Sequence, residues 1–152
     1  MDVHSTATRS YNMSRIKSKD TRPELLVRRW LHAHGYRYRL HVKTLPGKPD
    51  IVLGRKTRDG ELVELRTIIL VHGCFWHGHE GCRYYVVPKT RTDWWLNKIN
   101  RNKDNDHKAH KALKKLGWKV TTLWECDLKP AVVERTLNAL LKKLNATADK
   151  QH

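Results

Sequence analysis

Apolar residues recur along the chain with two periods, and the switches between them outline the elements. Thr21-Arg22-Pro23-Glu24 opens a helix as a capping box, with Thr21 at the N-cap, Glu24 at N3 and proline in the first turn. Leu26, Val27, Trp30 and Leu31 form its apolar stripe, and Gly35 stops it. Tyr36 to Val42 alternates, which predicts a strand with one wet face. Thr44-Leu45-Pro46-Gly47-Lys48-Pro49 is a turn-rich link. Asp50-Ile51-Val52-Leu53 predicts a short strand that starts on a carboxylate. Residues 54–61 hold the hairpin dipeptide Asp59-Gly60. Strand character resumes at Leu62 and runs, with a break near Arg66, to His72.

Pro88 to Thr92 leads into a long helix, about Asp93 to Leu116, with Trp95, Ile99, Asn102, Asp106, Ala109, Leu113 and Leu116 on one face. Asp106 is the odd member, a carboxylate on an apolar stripe. Gly117 ends that helix. Trp118, Val120, Thr122 and Trp124 alternate in a further strand that delivers Glu125-Cys126 at its end. A last amphipathic helix, about Ala131 to Leu144, is expected to pack Val132, Val133, Leu137, Leu140, Leu141 and Leu144. The order helix, three strands, helix, strand, helix predicts an α/β domain, a mixed β-sheet flanked by helices. We divide the chain into a basic N-terminal arm (1–20), one folded domain (21–145) and a polar, flexible tail (146–152).

Charge adds what periodicity cannot. Lys and Arg number 31 against 15 Asp and Glu, a net charge of +16 on 152 residues. A surplus that large on one small domain points to a polyanion partner, of which nucleic acid is the commonest. No 18-residue apolar run and no leader-like N-terminus is present, so an intracellular protein without a membrane partner is expected. Three cysteines, an odd count, argue against a disulfide framework.

The apolar run Ile68-Ile69-Leu70-Val71 empties into His72-Gly73-Cys74-Phe75-Trp76-His77-Gly78-His79-Glu80-Gly81-Cys82, where the chemistry concentrates. Cys74, Cys82 and the distant Cys126 need one histidine to complete a tetrahedral zinc site, and His77 and His79 both qualify by spacing. Three buried free cysteines are the bland alternative. Asp50, at a strand edge near a strand carrying His72, suits a magnesium-dependent nuclease. Each acid also has an ordinary explanation: Asp50 as a Pro-Asp turn residue, Glu24 as a cap, Asp106 as a solvated helix residue. Phe75-Trp76 and Trp94-Trp95 are adjacent pairs, one member of which faces outward in a regular element. Trp76 and Trp95 are therefore candidates for stacking on bases as much as for core packing. Trp30, Trp118 and Trp124 are expected in the core.

With these residues in view the chain resembles the very short patch repair (Vsr) DNA mismatch endonucleases. The matching blocks run in order over most of residues 1–126. They are Asp2-Val3-His4, Thr8-Arg9-Ser10-x-Asn12-Met13, Leu45-Pro46-Gly47-Lys48-Pro49-Asp50, His72-Gly73-Cys74-Phe75-Trp76-His77, Thr90-Arg91-Thr92-x-x-Trp95-Leu96-x-Lys98-Ile99, Leu116-Gly117-Trp118-Lys119-Val120 and Trp124-Glu125-Cys126. The resemblance implies a restriction-endonuclease-like fold and magnesium-dependent nicking of one DNA strand 5′ of the T in T·G mismatches left by 5-methylcytosine deamination. It implies magnesium held by Asp50 and the main-chain carbonyl of Val71, with Glu24 supporting the surrounding waters. His72 and Asp106 line the catalytic site, and His77 is the general base or its close partner. Zinc falls to Cys74, His79, Cys82 and Cys126. Met13, Phe75, Trp76 and Trp95 wedge the duplex open. A monomer acting in the cytoplasm on nucleoid DNA is expected, with other mismatch-repair proteins as candidate partners. The rivals are a zinc-stapled DNA-binding module without catalysis and a related nuclease of different specificity.

Overall fold

The computed structural model describes residues 21–58 and 61–149. The arm 1–20 with Met13, the Asp59-Gly60 turn and the end of the tail lie outside the described residues. The elements are α1 (Arg22–Ala33), β1 (Arg39–Leu40), β2 (Ile51–Arg58), β3 (Glu61–His72), α2 (Thr92–Lys115), β4 (Lys119–Trp124), a 3-10 turn (Glu125–Leu128) and α3 (Val133–Asp149). They form a mixed four-stranded sheet in the order β1-β2-β3-β4, antiparallel at the first two pairings and parallel between β3 and β4. The predicted α/β class is observed.

Side-chain alternation on β2 and β3 feeds two cores. Ile51, Leu53, Leu65 and Ile69 point to one face and pack with Val27 and Leu31 of α1 and Leu137, Leu140 and Leu144 of α3. Val52 and Ile68 point to the other, where Leu113 of α2 covers them. Helices on both faces explain the continuous apolar run before His72, since Ile68 and Ile69 are buried on opposite sides and Leu70 and Val71 are half-buried. The break expected near Arg66 is a bulge: Leu53 pairs with Thr67 and Arg55 with Glu64, so Leu65 and Arg66 oppose Gly54 alone. Arg66 adopts φ 43° there, and its guanidinium donates to the carbonyl of Leu116 at the end of α2.

Three boundaries differ from the sequence expectation. The strand over Tyr36–Val42 shrinks to two residues. Tyr36 is drawn into the core, and left-handed backbone at His41 (φ 46°) ends the regular strand. The strand opening at Asp50 starts instead at Ile51 and continues to Arg58. The last helix does not stop near Leu144. It runs to Asp149, with Thr147 inside it buried and bonded to Lys119 and the Lys143 carbonyl, so residues 146–149 of the expected tail are helical. Leu116, placed on the apolar stripe of α2, is 53% exposed, because the helix ends beside it. Among the described residues, no helix is long and apolar enough to cross a membrane.

Candidate active site and metal centres

Among the described residues, three groups of donor atoms gather where β3 ends, and α2 supports two of them. The stripe of α2 read as core-facing does most of this docking. Asn102 Nδ2 donates to the carbonyl of Trp76 at 2.9 Å, and Asp106 Oδ2 lies 2.6 Å from His77 Nδ1. Two glycines let the loops approach that closely. Gly78 (φ +59°) lies where a Cβ would fall 2.8 Å from Ile99 Cγ2 and closer still to Lys103. Gly47 (φ +75°), three residues before Asp50, would put a Cβ 2.6 Å from that of Ala109. The turn-rich link is thus pressed onto α2, and this fixes Asp50 against the sheet.

The first group is Cys74, His79, Cys82 and Cys126, whose donor atoms lie within 4.8 Å of one another. Cys126 Sγ is 3.4 Å from His79 Nδ1, and the Cys126 N–H donates to Cys74 Sγ. Tetrahedral zinc with bonds of about 2.0–2.3 Å separates its ligands by roughly 3.4–3.8 Å, so the donor set fits that ion. Burial pushes the Cys74 thiol up to about 12 and raises Cys126 as well. Cys82 is lowered, because the N–H groups of Tyr84 and Tyr85 and the other thiols outweigh the opposing desolvation. The geometry takes His79 into this group and leaves His77 out.

The second group is His72, His77 and Asp106. A carboxylate only accepts, so His77 donates through Nδ1, and in the neutral ring Nε2 is then the acceptor. The rings of His72 and His77 stack at 3.8 Å with planes 4° apart. Burial, and then the neighbouring His77, hold His72 down to about 4, so it is neutral near pH 7. Trp124, expected in the core, stands edge-on to His72 and stacked at 4.0 Å on His79. One run of rings therefore joins the thiol group to the imidazole–carboxylate pair.

The third group is Glu24, His41 and Asp50. The capping box is half formed. Thr21 accepts from the Glu24 N–H, but the Glu24 side chain turns inward, 2% exposed as a residue, onto Arg28 at 2.5 Å. Asp50 Oδ2 accepts from the Val71 N–H at 3.1 Å. Desolvation raises Asp50 from its ordinary value, and Val71, His41, His77 and Glu24 offset this only in part. A half-buried carboxylate with its second oxygen turned away from that bond fits a hard cation, which takes one or two carboxylates and keeps its waters. His41 was not singled out by the sequence, where it is one polar position in an alternating run. Arg28 was legible only as a partner four residues from Glu24.

Phe75, Trp76 and Trp95 form one half-buried aromatic cluster, with ring centroids 5.2–5.8 Å apart. Trp94, 46% exposed, carries Arg91 over its ring. Trp30 and Trp118 pack on the two cores as expected.

A model of the family described as DNA mismatch endonuclease Vsr matches residues 1–83. The chain is 42% identical over 144 residues to the type II nicking enzyme V.NmeAIP of Neisseria meningitidis, covering 94% of this chain and 96% of that one. It is 47% identical over 127 residues to the type II nicking enzyme V.XorIIP of Xanthomonas oryzae pv. oryzae (84% and 86% covered). It is 41% identical over 128 residues to the DNA mismatch endonuclease Vsr of Escherichia coli (84% and 76% covered).

Proposed function

The chain belongs to the Vsr family of DNA mismatch endonucleases, and from that premise we propose that it nicks one strand of duplex DNA 5′ of the T in a T·G mismatch, the product of 5-methylcytosine deamination. DNA is the substrate and phosphodiester hydrolysis the reaction class. The observation that carries the chemistry is the pairing of His77 with Asp106 at 2.6 Å. It fixes the tautomer that leaves Nε2 able to take a proton from water, as a general base must. Neutral His72, stacked on the His77 ring, holds that ring in plane.

Asp50, with the main-chain carbonyl of Val71, would hold magnesium, which when bound supplies polarisation of the phosphate and stabilisation of the leaving oxygen. Glu24, gathered with Asp50 and steadied by Arg28, would support the waters around the metal. Cys74, His79, Cys82 and Cys126 would hold zinc as a closed structural site that ties the end of β4 to the loop after β3. Phe75, Trp76 and Trp95, with Met13 from the arm, would wedge the duplex beside the mismatch. Unstacking costs a few kcal/mol and least where the pair is already mismatched. The surplus of 31 basic over 15 acidic residues grips phosphates. The protein would act as a monomer in the cytoplasm, on nucleoid DNA, with other mismatch-repair proteins as candidate partners.

A second reading has its own support, since two of the relatives above are named as type II nicking enzymes. On that reading the chain is a related nicking nuclease of different specificity, one that does not require the T·G mismatch. The test is incubation with magnesium and two end-labelled duplexes, one with a T·G mismatch and one fully paired. A nick 5′ of the mismatched T and none on paired DNA is the expected result. Cutting of both would favour the second reading, and binding without cutting in any divalent metal would leave a zinc-stapled binding module.

A further inference from the structure

His41 stands between Arg28 and Asp50, and the surrounding groups fix where its proton lies. Arg28 Nη2 contacts Glu24 Oε2 at 2.5 Å and His41 Nε2 at 2.9 Å. A guanidinium only donates, and one Nη carries two hydrogens, so it serves both partners. Nε2 of His41 is then an acceptor, and the ring hydrogen sits on Nδ1. Nδ1 faces Asp50 Oδ1 at 3.9 Å. That is too long for a hydrogen bond and short enough for attraction between the N–H dipole and the carboxylate. The other oxygen, Oδ2, is held by the Val71 N–H. The His41 backbone is bent to φ 46°, and its own N–H donates to the carbonyl of Asp50 at 3.0 Å. Left-handed backbone at a non-glycine residue beside a catalytic carboxylate is strain that the surroundings sustain.

We propose that His41 is a positioning residue for Asp50, with its tautomer set by the Arg28–Glu24 pair. The ring steers Oδ1 without occupying its lone pairs, so that oxygen stays available to a cation. An alternative in which His41 itself ligates the ion is disfavoured by the same contacts. The nitrogen nearest Asp50 bears the hydrogen, and the other is engaged by Arg28.

The inference rests on reading Asp50 as the cation holder, and the test separates the two. Long-range imidazole spectra of the full-length 15N-labelled protein read the proton position directly. Nδ1 protonated and Nε2 bare is expected for His41, with the proton no longer confined to Nδ1 in Arg28→Met. Binding of Mn2+ alone, followed through the free-ion paramagnetic resonance signal, gives the second readout. Arg28→Met and His41→Ala should each weaken it about tenfold, the scale of lost outer-sphere support. Arg28→Lys, which still donates, should retain most of it. A hydrogen on Nε2 in the wild-type protein, or unchanged Mn2+ affinity in both variants, would overturn the proposal. Unchanged affinity in Asp50→Asn would overturn the reading of Asp50 itself.

Discussion

The thiol group and the carboxylate group lie near the same end of the sheet, yet they are built in opposite ways. Cys74, His79 and Cys82 come from one nine-residue loop, and only Cys126 is brought from elsewhere. Glu24, His41 and Asp50 come from α1, the end of β1 and the entry to β2. Burial raises both the Cys74 thiol and the Asp50 carboxyl. Their surroundings differ: Arg28 sits against Glu24 in the carboxylate group, whereas the thiol group consists of sulfurs and one imidazole. A cation at the thiols would pin the end of β4, through Cys126, to the loop after β3, and a cation at the carboxylates would complete a scaffold already braced by Arg28 and the Val71 N–H. The fold should depend on the first and the reaction on the second.

The largest effect that would break this contrast is metal removal. Stripping zinc with a strong chelator should destabilise the domain by on the order of several kcal/mol, read as a fall in melting temperature, because structural zinc sites contribute folding energy outright. Asp50→Ala should leave the melting temperature close to that of the wild type. Its nicking rate should drop by about a thousandfold, the rate equivalent of the several kcal/mol a bound cation supplies. His77→Ala should slow nicking by about a hundredfold to ten-thousandfold in single-turnover assays, with DNA affinity little changed. The smallest effect sharpens the comparison from the scaffold side. Gly47→Ala should cost about 1–3 kcal/mol in denaturant unfolding, since φ is +75° and the new methyl meets Ala109 at 2.6 Å. It should also slow nicking, because the same link carries Asp50.

The two groups were unequally legible in the sequence, for the same reason. Cys74, His77, His79 and Cys82 announce a metal clamp by local density, and the fold only had to choose between the histidines. That choice depends on α2, because Asp106 captures His77 at a distance of 29 residues. The stripe carrying Asp106 was visible as a period, but what it faces was not. It docks the loops as much as the core. Glu24 was legible as a cap, and its inward turn depends on Arg28 and on burial that no local pattern encodes. His41 had no sequence signal, since its role follows from the left-handed bend that cuts β1 to Arg39–Leu40. Trp124 alternated like a core residue, yet the parallel pairing of His72 with Trp124 set its ring between His72 and His79.

The most direct measurement is the nicking rate of Asp50→Ala on a T·G duplex, made on protein analysed for zinc in the same sample. Separate roles for the two groups predict one zinc per chain, a wild-type melting temperature and no nick above background. Nicking at the wild-type rate, or loss of zinc together with the fold, would contradict it.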